Sequence, residues 1–265
     1  MKFSFMTFSC PDLTWAEVLD VARRLGYDGV EPRAQAKHLH GVEPSTTAGQ
    51  RALLRRMAED ADVGIACLAT SCSYTAPTPA ELSRMMADSR ALIALAHDLG
   101  APTMRVFGGG IPQGMTRDTA ATQLADSLAA LAPEARAAGV TLCVETHDSW
   151  CNAHDLAAVI ERVGHPNVRV NWDIMHPVNA AGMTMDEAFD VLRPDIRHVH
   201  FHDGTRGDKG TQLCPIGQGF IDHRRAVALL RSIGYDGYLS GEWINWEPWQ
   251  THLPRELATM KSYLG

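Results

Sequence analysis

A chain of 265 residues, 45% hydrophobic and 21% charged, is the right size for one (β/α)8 barrel and can bury a large core. Its formal net charge of −7, with basic residues scattered rather than clustered, argues against a nucleic-acid partner. No stretch approaches the ~20 apolar residues of a membrane span, and the first residues read as a strand rather than an apolar leader, so the expectation is a soluble, cytoplasmic protein.

Short apolar runs alternate with amphipathic stretches along the whole length. In chain order, a strand over 3–8 precedes a helix over 15–25, and a strand over 29–31 precedes a helix over 47–61. Strand 65–69 is followed by helix 80–99, and strand 103–107 by helix 117–138. Strands 140–145, 168–173, 196–200 and 238–242 lead to helices 154–163, 185–192, 223–233 and 250–264. Eight strands and eight helices in strict order favour a single closed TIM barrel over 1–265 rather than an open sheet. Gly26, Gly100, Gly139 and Gly234 stand where a left-handed residue would end a helix before the next strand. The string Gly-Tyr-Asp-Gly occurs at 26–29 and again at 234–237, as repeated βα units would produce. The long connections 33–46, 70–79, 108–116, 147–153, 177–182 and 203–221 all follow strands, on the face where such barrels keep their chemistry. Six cysteines, Cys10, Cys67, Cys72, Cys143, Cys151 and Cys214, form no CxxC pair and read as reduced thiols.

Four of the strands end on a costly residue: Glu145, Asp173, His200 and Glu242. A carboxylate or imidazole at the end of a buried strand needs compensation, and three carboxylates converging with one His would repel one another without a cation between them. Alone, Asp173 or Glu145 could cap the helix that follows. Together the four read as a divalent-metal site, oxygen-rich and suited to Mn2+, Mg2+ or Co2+, with catalytic Zn2+ also possible. Two apart on one strand, His200 and His202 both point inward, and His147 stands in the same relation to Glu145. His202 is expected in the pocket as a proton donor or base. Arg105, after Met104, either binds an anionic group or pairs with a barrel carboxylate. Trp243, Trp246 and Trp249 offer aromatic walls for a sugar or ring.

Glu31 after the first Gly-Tyr-Asp-Gly, Val144-Glu145, Asp173-Ile-Met-His176, His200-Phe-His-Asp203, Gly217-Gln-Gly219 and Gly241-Glu242 together carry a likeness that spans the chain. The sequence resembles the xylose-isomerase-like TIM barrels, the sugar isomerase and epimerase superfamily that includes ketose 3-epimerases, hydroxypyruvate isomerase, inosose dehydratase and related AP endonucleases. The resemblance implies that Glu145, Asp173, His200 and Glu242 hold the metal and that Glu145 and Glu242 exchange a proton with substrate. It further implies that His176 and Arg206 bind substrate, and that the protein is a dimer or tetramer of identical chains. Two positions depart from the pattern. Cys151 stands where the epimerases carry a second glutamate, and His202 where many non-epimerase members carry Lys.

The leading expectation is therefore a metal-dependent isomerase or epimerase of a ketose or keto-sugar derivative, working through an enediolate. The alternative is a lyase or dehydratase acting on an oxidised sugar, an inosose or a dehydroshikimate-like ring. An AP endonuclease is remote, because its extra zinc histidine would fall in an Asp-x-His and this chain has Asp222-His223 instead.

Overall fold

The computed structural model describes residues 1–208 and 210–264. Strands β1 (Lys2–Met6), β2 (Gly29–Glu31), β3 (Gly64–Ile65), β4 (Leu68–Ser73), β5 (Thr103–Phe107), β6 (Thr141–Glu145), β7 (Val168–Asp173), β8 (Ile196–Phe201) and β11 (Tyr238–Gly241) pair in parallel in the order β3-β2-β1-β11-β8-β7-β6-β5-β4. Strands β9 (Asp203–Gly207) and β10 (Gly210–Cys214) form a separate antiparallel hairpin. The two ends of the large sheet, β3 and β4, are consecutive in the chain and make one broken barrel strand. Ala66 N donates to Val30 O at 2.9 Å and Ala69 N to Pro32 O at 3.0 Å, which closes the gap. The architecture is a (β/α)8 TIM barrel.

Around it run α1 (Trp15–Leu25), α2 (Ala48–Asp60), α3 (Pro79–Leu99), α4 (Arg117–Ala137), α5 (Ala153–Val163), α6 (His176–Ala180), α7 (Met185–Leu192), α8 (His223–Ser232) and α9 (Trp249–Ser262). Thr14, Thr47 and Thr184 open their helices with capping boxes, reaching Glu17, Gln50 and Glu187 three residues on. Gly26 (φ 82°) ends α1 in the left-handed region that a side chain would strain. Each helix turns apolar residues such as Trp15, Val18, Leu19 and Ala22 of α1 onto the outside of the barrel. No helix among the described residues is long and apolar enough to cross a membrane.

Four local expectations change. The first strand ends at Met6, where Thr7–Ser9 form a 3-10 turn instead of extending the strand to residue 8. The third strand breaks at 66–67 and runs on to Ser73, where pairing with β5 resumes at Phe107 after an irregularity that buries Thr70 and Cys72. A short helix, α6, occupies most of the connection after β7, and the hairpin occupies much of the long connection after β8.

The barrel interior is polar. Alternation along the strands buries Ser4, Glu31, Arg105, Glu145, Asn171, Asp173, His198, His200 and Ser240, all at most 1% exposed. Glu31 on β2 contacts His198 and His200 on β8, although β1 and β11 lie between those strands in the sheet. Such a contact can only cross the interior.

Candidate metal-binding active site

Glu145 ends β6, Asp173 ends β7, His200 is the penultimate residue of β8, and Glu242 follows β11 directly. The first three are completely buried and Glu242 nearly so. One ligand atom from each lies within 4.8 Å of all the others. His200 Nδ1 stands between the two glutamates, 3.4 Å from Glu145 Oε1 and 3.2 Å from Glu242 Oε2. The structure thus brings together all four residues singled out as metal ligands.

Three carboxylates converge here with few hydrogen bonds from the protein. Both carboxylate oxygens of Glu145 and Oδ2 of Asp173 are buried without a hydrogen-bond partner among the described residues. An uncompensated buried carboxylate costs several kcal/mol, so it persists only where something else pairs with it. Arg105 supplies part of that: its Nε lies 3.2 Å from Glu145 Oε2, and its Nη2 lies 4.0 Å from Glu242 Oε1. Burial favours a neutral His200, yet the carboxylates of Glu31, Glu145 and Glu242 outweigh it and hold its pKa well above the imidazole range. Burial opposes ionisation of Glu242 too, but His200 and Arg105 bring its pKa down to about 2. The cluster demands positive charge at its centre. Orphaned oxygens with one imidazole make a hard, mixed donor set that fits a divalent cation.

Asp173 does two things at once. Its Oδ1 accepts from Met175 N at 2.8 Å and His176 N at 3.3 Å and so starts α6, while Oδ2 faces the site. The capping and ligand readings are both satisfied by one side chain. Beside it stand three imidazoles. His202 donates from Nδ1 to the Glu242 carbonyl at 3.0 Å, which turns Nε2 to within 3.2 Å of Asp173 Oδ2. His176 Nε2 lies 3.8 Å from the same oxygen. The His176 ring is 5.8 Å from that of His202 and 4.6 Å from that of His147. His147 in turn pairs with Asp148 Oδ1 at 3.0 Å and packs on Phe107. Burial lowers the pKa of both His147 and His202, but Asp148 and Asp173 respectively reverse it and raise each to about 9. At Cys151 the thiol donates to the Asp148 carbonyl at 3.2 Å, and the carboxylate of that turn, Asp148, pairs with His147.

One expected pocket residue lies elsewhere. Trp243 is 1% exposed and packs on Phe201 and His252, because alternation from the inward Glu242 sends it out under α9. It belongs to the core and does not wall the site. Arg206 sits exposed on the β9 hairpin, its guanidinium over Phe220, and makes no ion pair with the cluster among the described residues. His40 is structural, accepting from Val42 N at its Nδ1. His223 is buried with both ring nitrogens 3.1 Å from the carbonyls of Ile221 and His202, so it is not free to bind a metal as the endonuclease reading would require. Three site residues were given no role from the sequence. Glu31 ends a strand as the ligands do, and Asn171 and His198 precede Asp173 and His200 by two, so strand periodicity marks all three.

The sequence profile of the xylose isomerase-like TIM barrels matches residues 19–263. The chain belongs to the xylose isomerase-like TIM barrel family. Among solved structures, this xylose isomerase-like barrel is similar to a D-psicose 3-epimerase described in the presence of D-fructose, at 17% identity and TM-score 0.83, with 100% of each chain covered. It is similar to an L-ribulose 3-epimerase at 22% identity and TM-score 0.82, over 99% of this chain and 94% of the other. The probable 3-DHS dehydratase of Bacillus anthracis aligns at 17% identity and TM-score 0.82, over 98% and 99%. Similarity at these identities is similarity of fold. None of the curated proteins matches the chain.

Proposed function

We propose that this protein is a divalent-metal-dependent isomerase or epimerase of a ketose or keto-sugar derivative. The observation that carries the proposal is the buried cluster in which Glu145 and Glu242 flank His200, with unpartnered carboxylate oxygens and Asp173 completing it. Likeness of fold to two ketose 3-epimerases supports the same reading.

Glu145, Asp173, His200 and Glu242 would hold a divalent cation, which would supply positive charge for the negative charge that develops on substrate oxygens when the proton is removed. One glutamate removes the proton from the carbon beside the substrate carbonyl, and the other returns a proton from its own side. Return to the opposite face of that carbon gives an epimer; return to the neighbouring carbon gives an isomer. Arg105, with Nε 3.2 Å from Glu145 Oε2, orients that carboxylate. His176 and His147, at the rim beside Asp173, hydrogen-bond substrate hydroxyls.

The three rim imidazoles, with no second carboxylate at Cys151, favour a second reading as a lyase or dehydratase. A glutamate would take the proton, the C–O electron pair would leave with the β-hydroxyl, and His202 Nε2 would protonate it to water. The fold likeness to a dehydratase supports this route.

The test is proton NMR of the reaction in D2O with a panel of ketoses and keto-sugars, using Mg2+-loaded protein or Mn2+ reactions quenched with chelator. Deuterium beside the carbonyl with a new epimer or aldose establishes the first reading. Loss of water selects the second. Glu145→Gln or Glu242→Gln should lower turnover by about 10²–10⁴-fold with the circular dichroism spectrum unchanged, and full activity in either would overturn the mechanism.

A further inference from the structure

His200 is gripped at both ring nitrogens. Nδ1 faces the cluster, where Glu145, Glu242 and the Asn171 side-chain amide (3.1 Å) surround it. Nε2 points the other way, across the barrel interior, to the carboxylate of Glu31 at 3.1 and 3.2 Å. Glu31 also meets His198 Nε2 at 2.8 Å. Glu31, His198 and His200 are all at most 1% exposed, so no water competes for these contacts. An ionised carboxylate only accepts hydrogen bonds, so the nitrogen of His200 that faces Glu31 carries the proton. A cation binding where Glu145 and Glu242 converge would then displace only the Nδ1 proton and take the lone pair there.

We propose that Glu31 is a positioning residue for the metal centre: it fixes the proton of His200 on Nε2 so that Nδ1 is the ligand atom. His198 holds the Glu31 carboxylate from below. This inference rests on the metal reading above. A carboxylate behind a ligating imidazole locks its tautomer and ring orientation and makes it a stronger donor, and losing such a partner costs typically about 10–100-fold in metal affinity. Glu31 itself lies outside the ligand set, so its effect passes through His200 alone.

Two measurements test it on the whole protein. In Zn2+-loaded protein labelled with 15N-histidine, proton–nitrogen correlation should show His200 protonated at Nε2 and metal-bound at Nδ1, with the signal assigned by its absence from His200→Gln. The reverse pattern would overturn the proposal without any change at Glu31. Calorimetric Zn2+ titration should then show binding weakened about 10–100-fold in Glu31→Leu. Glu31→Gln keeps an acceptor oxygen for His200 and should lose only a few-fold by the same reasoning. Wild-type affinity in a folded Glu31→Leu would overturn the role of Glu31 while leaving the metal site standing. Should Glu31→Leu not fold, wild-type affinity in Glu31→Gln together with metal on Nε2 would overturn it. A wild-type protein that binds no Zn2+, Mn2+ or Mg2+ would overturn the metal reading and this inference with it.

Discussion

Arg105 and Glu145 are both at most 1% exposed, and the guanidinium is the nearest protein cation to a carboxylate whose two oxygens have no hydrogen-bond partner. Removing one member of a buried pair strands the other and costs about 3–5 kcal/mol. Arg105→Met should therefore lower the stability of the metal-free protein by about that much in urea unfolding. Saturating Mn2+ should recover part of the loss, because the cation then offsets Glu145. A loss under about 1 kcal/mol would mean that the pair carries little of the charge balance. His40 gives a prediction in pH. Burial, with His38 beside it, lowers its pKa to about 3, and at 3% exposure it stays neutral in the folded state. The unfolded chain takes up a proton near pH 6.5, so this contribution is complete above that pH and is lost as pH falls toward 3. The slope from this one group is about 1.4 kcal/mol per pH unit. His40→Asn should flatten the stability profile between those pH values by that slope, and an unchanged profile would contradict it.

Among the elements, those with strong local signals were legible in the sequence. The α1 end at Gly26 follows from capping chemistry, and strands β6, β7 and β8 from apolar runs ending in a polar residue. Where tertiary contacts decide, local signals fell short. Strand β4 runs through polar Thr70 and Ser71 because β5 pairs with it, and α6 is started by the Asp173 side chain rather than by a periodic apolar face. The segment after β8 is organised by Asp203, whose carboxylate accepts from the backbone of Gly204, Gly217, Gly219 and Ile221 at 2.8–3.2 Å. No spacing rule announces that cradle. A Cβ at Gly219 would overlap the Asp203 carboxylate and the Gly204 carbonyl. Gly219→Ala should thus open the cradle, and hydrogen exchange over 203–221 should lose protection while β6 and β7 keep theirs. Unchanged exchange in that segment would show that the cradle does not hold it.

Across the whole molecule, the barrel interior is a layer of charged and polar residues from β1, β2, β5, β6, β7, β8 and β11, where branched apolar side chains commonly fill such barrels. The four proposed ligands were legible because each ends a strand. Trp243 was misplaced because adjacency to Glu242 says nothing of which side of the barrel wall a residue takes. If this interior is built around a cation, the cation is part of the fold's stability. At free Mn2+ about 100 times its dissociation constant, binding adds about 2.7 kcal/mol and should raise the melting temperature by about 5–10 °C over chelator-treated protein. The most direct measurement is anomalous diffraction from crystals grown with Mn2+. The account predicts one strong peak per chain bounded by Glu145, Asp173, His200 and Glu242. A barrel without such a peak, or with its only peak among Asp173, His176 and His202, would contradict it.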